Sequence, residues 1–207
     1  MERATRPHRR RARRGALFAL LTLASVQGCG DSTAPQSAKP AAPVYATISE
    51  GGYDDTCALT SEGNAYCWGF DIVGQLGVGV VPTSPPSYQV RPVPVKGNLH
   101  FSTISLTVGT SCGVTTAGAA YCWGLSVSDG SASPVPVAVA GGVTFATIAV
   151  GGNLGFNHAC GLTADRVAYC WGDNQAGQLG TGDRVTRADP APVAGGLRFS
   201  AITTGAF

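Results

Sequence analysis

The chain has 207 residues, 29 of them Gly and 13 Pro, and a formal net charge of +2. That charge is unevenly split: residues 1–28 hold seven Arg (Arg3, Arg6, Arg9, Arg10, Arg11, Arg13, Arg14) and one acid, Glu2, which leaves seven bases against eleven acids in the rest. A net-acidic remainder excludes a general electrostatic grip on phosphate backbones, which needs clustered Lys and Arg.

Residues 1–28 read as an export signal peptide. An Arg-rich head precedes the apolar run "GALFALLTLASVQ", too short for a comfortable membrane span. The following "VQGC" sets a small residue before Cys29, as in a bacterial lipobox, so Cys29 is expected to carry lipid after cleavage. Gln27 departs from the small residue usual at its position, and an ordinary secreted protein or an uncleaved anchor is the competing reading. Residues 29–43, rich in Pro, Ala and Ser, have the composition of a flexible tether. The expected location is the bacterial cell envelope, on the outer membrane or cell surface, or outside the cell.

Residues 44–207 repeat. "YATISEGG", "FSTISLTVG", "FATIAVGG" and "FSAITTGAF" start at Tyr45, Phe101, Phe145 and Phe199, at separations of 56, 44 and 54 residues. Each complete unit continues with a Cys-bearing segment, an "AYCWG" segment and a Pro-rich apolar segment ("RPVPVKG", "SPVPVAVAGG", "APVAGG"). Four short β-prone pieces per unit, with a period in this range, predict an all-β chain of four-stranded propeller blades.

The spacing also sets the central hairpin. If Cys57 faces Cys67, then Ala58 faces Tyr66 and Leu59 faces Ala65, and Gly63 closes a three-residue loop where positive φ is required. Gly118 takes that place in the second unit; Arg166, a poor residue for it, does so in the third. Opposed residues on paired strands lie about 4.5–5.5 Å apart at Cα, within disulfide reach. Three bonds are therefore expected, Cys57–Cys67, Cys112–Cys122 and Cys160–Cys170, with Cys29 left for lipid. Reduced packing thiols or a metal site compete, but the Cys-x-x-Cys pairs usual for zinc are absent from the sequence. No metal or cofactor is expected.

Tyr66 and Trp68, Tyr121 and Trp123, and Tyr169 and Trp171 alternate with the cysteines and fall on the opposite face. With both faces apolar, the hairpin is expected to be sandwiched between neighbouring blades.

"GNAYCWGFDIVGQLGVG" (Gly63 to Gly79) and "VAYCWGDNQAGQLGTGD" (Val167 to Asp183) resemble repeats of the regulator of chromosome condensation. The resemblance covers about 45–207 and is strongest in the third unit, at Tyr169, Trp171, Gly172, Asn174, Gly177, Gln178, Leu179, Gly180 and Gly182. Asp71 replaces the Asn in the first unit, and the second lacks the Gly-Gln-Leu-Gly loop, which implies a shorter rim there. The resemblance implies a β-propeller, typically of seven blades. Three units and the start of a fourth are visible, and propellers close with about four to eight. The sequence is thus expected to be a fragment, or to close by association with another copy.

No catalytic set is proposed by the sequence, so an enzyme is not expected. Beyond the signal the histidines are His100, at the end of a linker, and His158, where a structural hydrogen bond to a neighbouring loop is expected. The expected role is a non-enzymatic, protein-binding scaffold acting through rim loops, with Val80 to Arg91 and Ser126 to Ser133 as first candidates. Inhibition of a partner enzyme, as in related secreted propellers that bind β-lactamase, is one version. The alternatives are part of an envelope hydrolase or carbohydrate-active protein, or guanine-nucleotide exchange, which the family name alone suggests.

Overall fold

The structure, a computed structural model, describes residues 42–84 and 87–205. The signal peptide, Cys29 and most of the tether therefore lie outside the described residues. Three four-stranded antiparallel sheets make up the fold, and the described residues contain no helix. Blade 1 contains β1 (Tyr45–Glu50), β2 (Asp55–Thr60), β3 (Ala65–Asp71) and β4 (Ser87–Pro94). Blade 2 contains β5 (Phe101–Thr107), β6 (Thr110–Thr115), β7 (Ala120–Leu125) and β8 (Ala132–Ala138). Blade 3 contains β9 (Thr147–Gly151), β10 (His158–Leu162), β11 (Ala168–Gly172) and β12 (Arg187–Pro192). In each blade the strands lie side by side in chain order.

The fourth strands begin before their Pro-rich segments: β4 starts at Ser87 and β12 at Arg187. The reason is a register shift in each blade between the cysteine of the third strand and the glycine two residues on. It consumes extra residues of the fourth strand and extends the pairing toward the rim.

At the central hairpins Cys57 pairs with Cys67, Ala58 with Tyr66 and Leu59 with Ala65, and the other two blades repeat this register. The paired cysteines are 4.1 Å apart at Cα and bonded in all three blades. The hairpin loops turn through Gly63 (φ 84°), Gly118 (φ 86°) and Arg166 (φ 64°). The third loop therefore keeps the common conformation and places a side chain in the left-handed region, at a steric cost of roughly 1–2 kcal/mol.

Successive blades pack one kind of face against the other. Cys57, Leu59, Ala65, Cys67 and Leu76 of blade 1 form one buried cluster with Phe101, Ile104, Leu106 and Trp123 of blade 2. Cys112, Val114, Ala120 and Val127 of blade 2 form the next with Phe145, Ile148, Val150 and Trp171 of blade 3. Backbone bonds stitch the same seams, the Phe101 amide donating to Gly63 O (2.8 Å) and that of Phe145 to Gly118 O (2.8 Å), and past blade 3 the Phe199 amide donates likewise to Arg166 O (3.0 Å). Buried polar contacts add to them, including Ser111 Oγ to Gln75 O (2.8 Å) and Thr107 Oγ1 to Gly152 O (2.8 Å).

Trp68 stands apart from Trp123 and Trp171. Among the described residues no blade covers its face, and it is half-buried where the other two are 1% exposed.

Candidate functional site

Three aromatic side chains gather at one end of blade 1. Tyr53 sits in the β1–β2 connection, which Asp54 turns with φ 54° while its carbonyl accepts from the Phe70 amide (3.1 Å). Phe70 is directly opposite Tyr88 across the β3–β4 pairing. The Tyr53 and Phe70 rings meet edge-on with centroids 6.3 Å apart, and Phe70 and Tyr88 are tilted at 5.5 Å. Ile72, Asp54 and Leu154, the last from the β9–β10 connection, complete the lining of an open cavity of about 360 Å³. Tyr53 is 47% exposed, Tyr88 58% and Val90 89%.

Large apolar side chains so exposed and contiguous mark a recognition surface more often than a bare scaffold rim. Tyr supplies wide contact area at low entropic cost and retains a polar hydroxyl. Of the segment Val80 to Arg91, Tyr88 lines the cavity, and it does so from strand β4 and not from a loop. Tyr53, Phe70 and Leu154 were not singled out from the sequence. They occur once rather than in every unit, so no periodicity draws attention to them.

Beneath this surface the polar groups are buried. Asp55 is 1% exposed, and neither carboxylate oxygen has a hydrogen-bond partner among the described residues. Burial pushes its pKa up to about 6; the nearby amides of Asp55 and Tyr53 oppose that shift, and Asp71 and Asp54 add to it. Asp71 is also raised by burial, although the amides of the following loop counter this, and its Oδ1 accepts from the Gly74 amide at 2.9 Å. Gln75 Oε1 accepts from the amides of Ile72 and Val73 (both 3.1 Å), which orders the loop leading to Leu76. In blade 3 Gln178 Oε1 likewise accepts from the Ala176 amide (2.9 Å), while Asn174, in the place of Asp71, donates to Asp183 O (3.0 Å) and Val185 O (3.2 Å) and accepts from the Leu179 amide (3.0 Å).

The histidines are dispersed. His100 lies within 3.0 Å of Glu62 O through Nδ1, pinning the blade 1 hairpin to the start of blade 2. His158 differs from expectation: its backbone is paired between Gly151 and Gly172, and its buried Nδ1 has no hydrogen-bond partner among the described residues. Burial holds its pKa below the ordinary value despite Asp173 nearby. Among the described residues no three His, Cys, Asp or Glu side chains are placed to hold a metal ion.

The regulator of chromosome condensation (RCC1) repeat models match residues 147–178 and 167–207. Residues 147–207 are RCC1 repeat sequence. Prp20p from Saccharomyces cerevisiae, described with its binding properties to Gsp1p and histones, is similar to it with a TM-score of 0.66 and 19% identity, over 78% of this chain and 42% of that one. Yeast RCC1 (Prp20) bound to Kap60 is similar with a TM-score of 0.60 and 19% identity, over 73% of this chain and 37% of the other. At that identity the likeness shows the fold alone. The chain thus spans about two fifths of the length of these structures.

Proposed function

We propose that this RCC1-repeat protein is a non-enzymatic binding protein of the bacterial cell envelope. In this reading residues 1–28 direct export, Cys29 carries the lipid, and the tether over 29–43 holds the blades clear of the membrane. Another protein docks on the aromatic rim of blade 1. The observation that carries this reading is the pair of exposed rings, Tyr53 and Tyr88, packed on the half-buried ring of Phe70 around an open cavity. Aromatic anchors of this kind dominate protein–protein binding energy, and rim loops on a rigid framework are where recognition usually resides. The binding of Prp20p to Gsp1p and histones supports a protein partner as the class of ligand.

Affinity capture from envelope extracts tests this reading, using the intact chain beside Tyr53→Ala and Tyr88→Ala. A partner held by the parent should be weakened by each variant by roughly 2 kcal/mol, about 30-fold, with the circular dichroism unchanged. Equal retention by parent and variants would remove the aromatic rim from the interface. Substrate turnover by the purified chain would instead favour the hydrolase or carbohydrate-active alternative.

A further inference from the structure

The blade 2–blade 3 seam lacks a part that the neighbouring units possess. In blade 1 the Gly-Gln-Leu-Gly turn folds back onto the disulfide face: Leu76 is fully buried among Cys57, Cys67 and Trp123. The Gly77 backbone lies against the Trp123 indole, where a Cβ would come 2.8 Å from Nε1. The turn is tied down where the Lys96 amide donates to Gly77 O (2.9 Å). Blade 3 repeats the device, with Leu179 fully buried and the Ala194 amide donating to Gly180 O (2.9 Å).

Blade 2 has the short turn Ser126 to Ser131 instead. Val127 stands where Gln75 stands: a Cβ on Gly172 would lie 3.0 Å from Val127 Cβ, as one on Gly124 would from Gln75 Cβ. The leucine that should follow is replaced by Ser128. Three consequences are visible. A cavity of about 250 Å³, lined by Trp171, Cys122, Val127, Val139, Ala138 and Ala188 among others, opens at the seam. Cys122 is half-buried, whereas Cys67 is fully buried. Among the described residues no carbonyl accepts from the amide of Ala140, the counterpart of Lys96 and Ala194.

We propose that this cleft receives a leucine-bearing turn from a partner protein. The leucine occupies the place of Leu76, and the carbonyl of the residue after it accepts from the Ala140 amide as Gly77 O accepts from Lys96. The inference rests on the protein-binding reading but uses a surface separate from the aromatic rim. The fold itself identifies the occupant, since the two equivalent places in this chain are filled by that group in that turn. The space exceeds the void of about 150 Å³ that holds a benzene in a protein core, so a leucine side chain fits without displacing Trp171.

The probe is a synthetic peptide with the chain's own sequence Asp71 to Gly79, "DIVGQLGVG", titrated into the isotope-labelled full chain and followed by NMR. Saturable shifts are expected at the Trp171 indole and the Ala140 amide, with Trp68 and Trp123 unmoved. Serine in place of the peptide leucine should weaken binding roughly tenfold or more. Ala188→Phe, a substitution at an exposed position on the cleft, should abolish it. Absence of a saturable shift at Trp171, or its persistence with the serine peptide or in Ala188→Phe, would overturn the proposal.

Two controls exclude other occupants. If Trp171 shifts with the concentration of the chain alone, the occupant is a second copy; if removal of residues 1–41 shifts it, the occupant is the chain's own segment. Either result overturns assignment to a partner. None of these outcomes bears on capture through Tyr53 and Tyr88, so failure of the cleft and failure of the rim are separable.

Discussion

The ring of Phe101 on β5 lies across Gly113 on β6, so close that a Cβ on that glycine would fall 2.7 Å from Phe101 Cδ1. This lets an aromatic side chain of the first strand reach over the second and touch two residues of the third. Its centroid is 6.4 Å from Tyr121 and 5.7 Å from Trp123. Phe145 does the same over Gly161 with Tyr169 and Trp171, at 6.3 and 5.6 Å. The tyrosines thus work within a blade, while the tryptophans also reach the neighbouring blade's disulfide face.

Gly113→Ala and Gly161→Ala should each destabilise the protein by overpacking, by roughly 1–3 kcal/mol. Neither glycine has positive φ, so the loss is steric contact and not backbone strain. Ala58, opposite Tyr66, holds the corresponding place in blade 1 and already carries a Cβ. Urea denaturation of the two variants checks this. Unchanged midpoints would mean that the rings relax away at little cost.

Arg166 offers the converse. Its φ of 64° sits where the other blades have Gly63 and Gly118. Arg166→Gly should therefore stabilise the chain by roughly 1 kcal/mol, the relief of the left-handed conformation being partly offset by the greater freedom of glycine when unfolded. The thermal midpoint should rise, and a fall would assign Arg166 a favourable contact that outweighs its backbone.

Asp55 makes stability depend on pH. Its folded pKa, about 6, lies above the ordinary 3.8, so the folded state binds the proton more tightly than the unfolded one. Stability conferred by the protonated form is full below pH 4, declines as pH rises from about 4 to 6, and stays low above that. A shift of two units corresponds to roughly 3 kcal/mol. Asp55→Asn, which removes the buried charge, should be more stable than the parent at pH 8 by up to that amount and should differ little at pH 4. His158, with its pKa lowered by burial, has the opposite sign and loses stability as pH falls through its unfolded value. Denaturation of both proteins across this range separates the two.

The three disulfides should be reduced in a definite order. Cys57 and Cys67 are both fully buried, whereas Cys122 and Cys160 are half-buried. Under mild dithiothreitol, trapping and peptide mapping should find Cys112–Cys122 and Cys160–Cys170 opened first. Cys57–Cys67 should persist until the blade unfolds, since a thiolate must reach sulfur to exchange. Each bond contributes roughly 2–3 kcal/mol. Early loss of Cys57–Cys67 would show that blade 1 opens more readily than its burial implies.

The blades were legible because repetition carries redundant information: cysteines ten positions apart in every unit, and the glycine closing the first two loops, admit a single register. The rim was only partly legible. Phe70 and Tyr88 face each other only through the shift between Cys67 and Gly69, and a bulge has no fixed composition by which to find it. The missing Gly-Gln-Leu-Gly turn of the second unit could be read directly, but not the space it leaves beside Trp171. Such a space depends on whether neighbouring chain collapses into it, and Val127 fills only the part nearest Gly172.

Because a bridged face always meets an aromatic one, the row of blades has a direction, as bricks with a tongue on one side and a groove on the other do. A unit copied in tandem meets its neighbour through contacts the molecule already possesses, while an inverted unit presents tongue to tongue. Lengthening such a row by duplication therefore requires no new surface to be invented, and the parts free to diverge are the loops that the joint does not use.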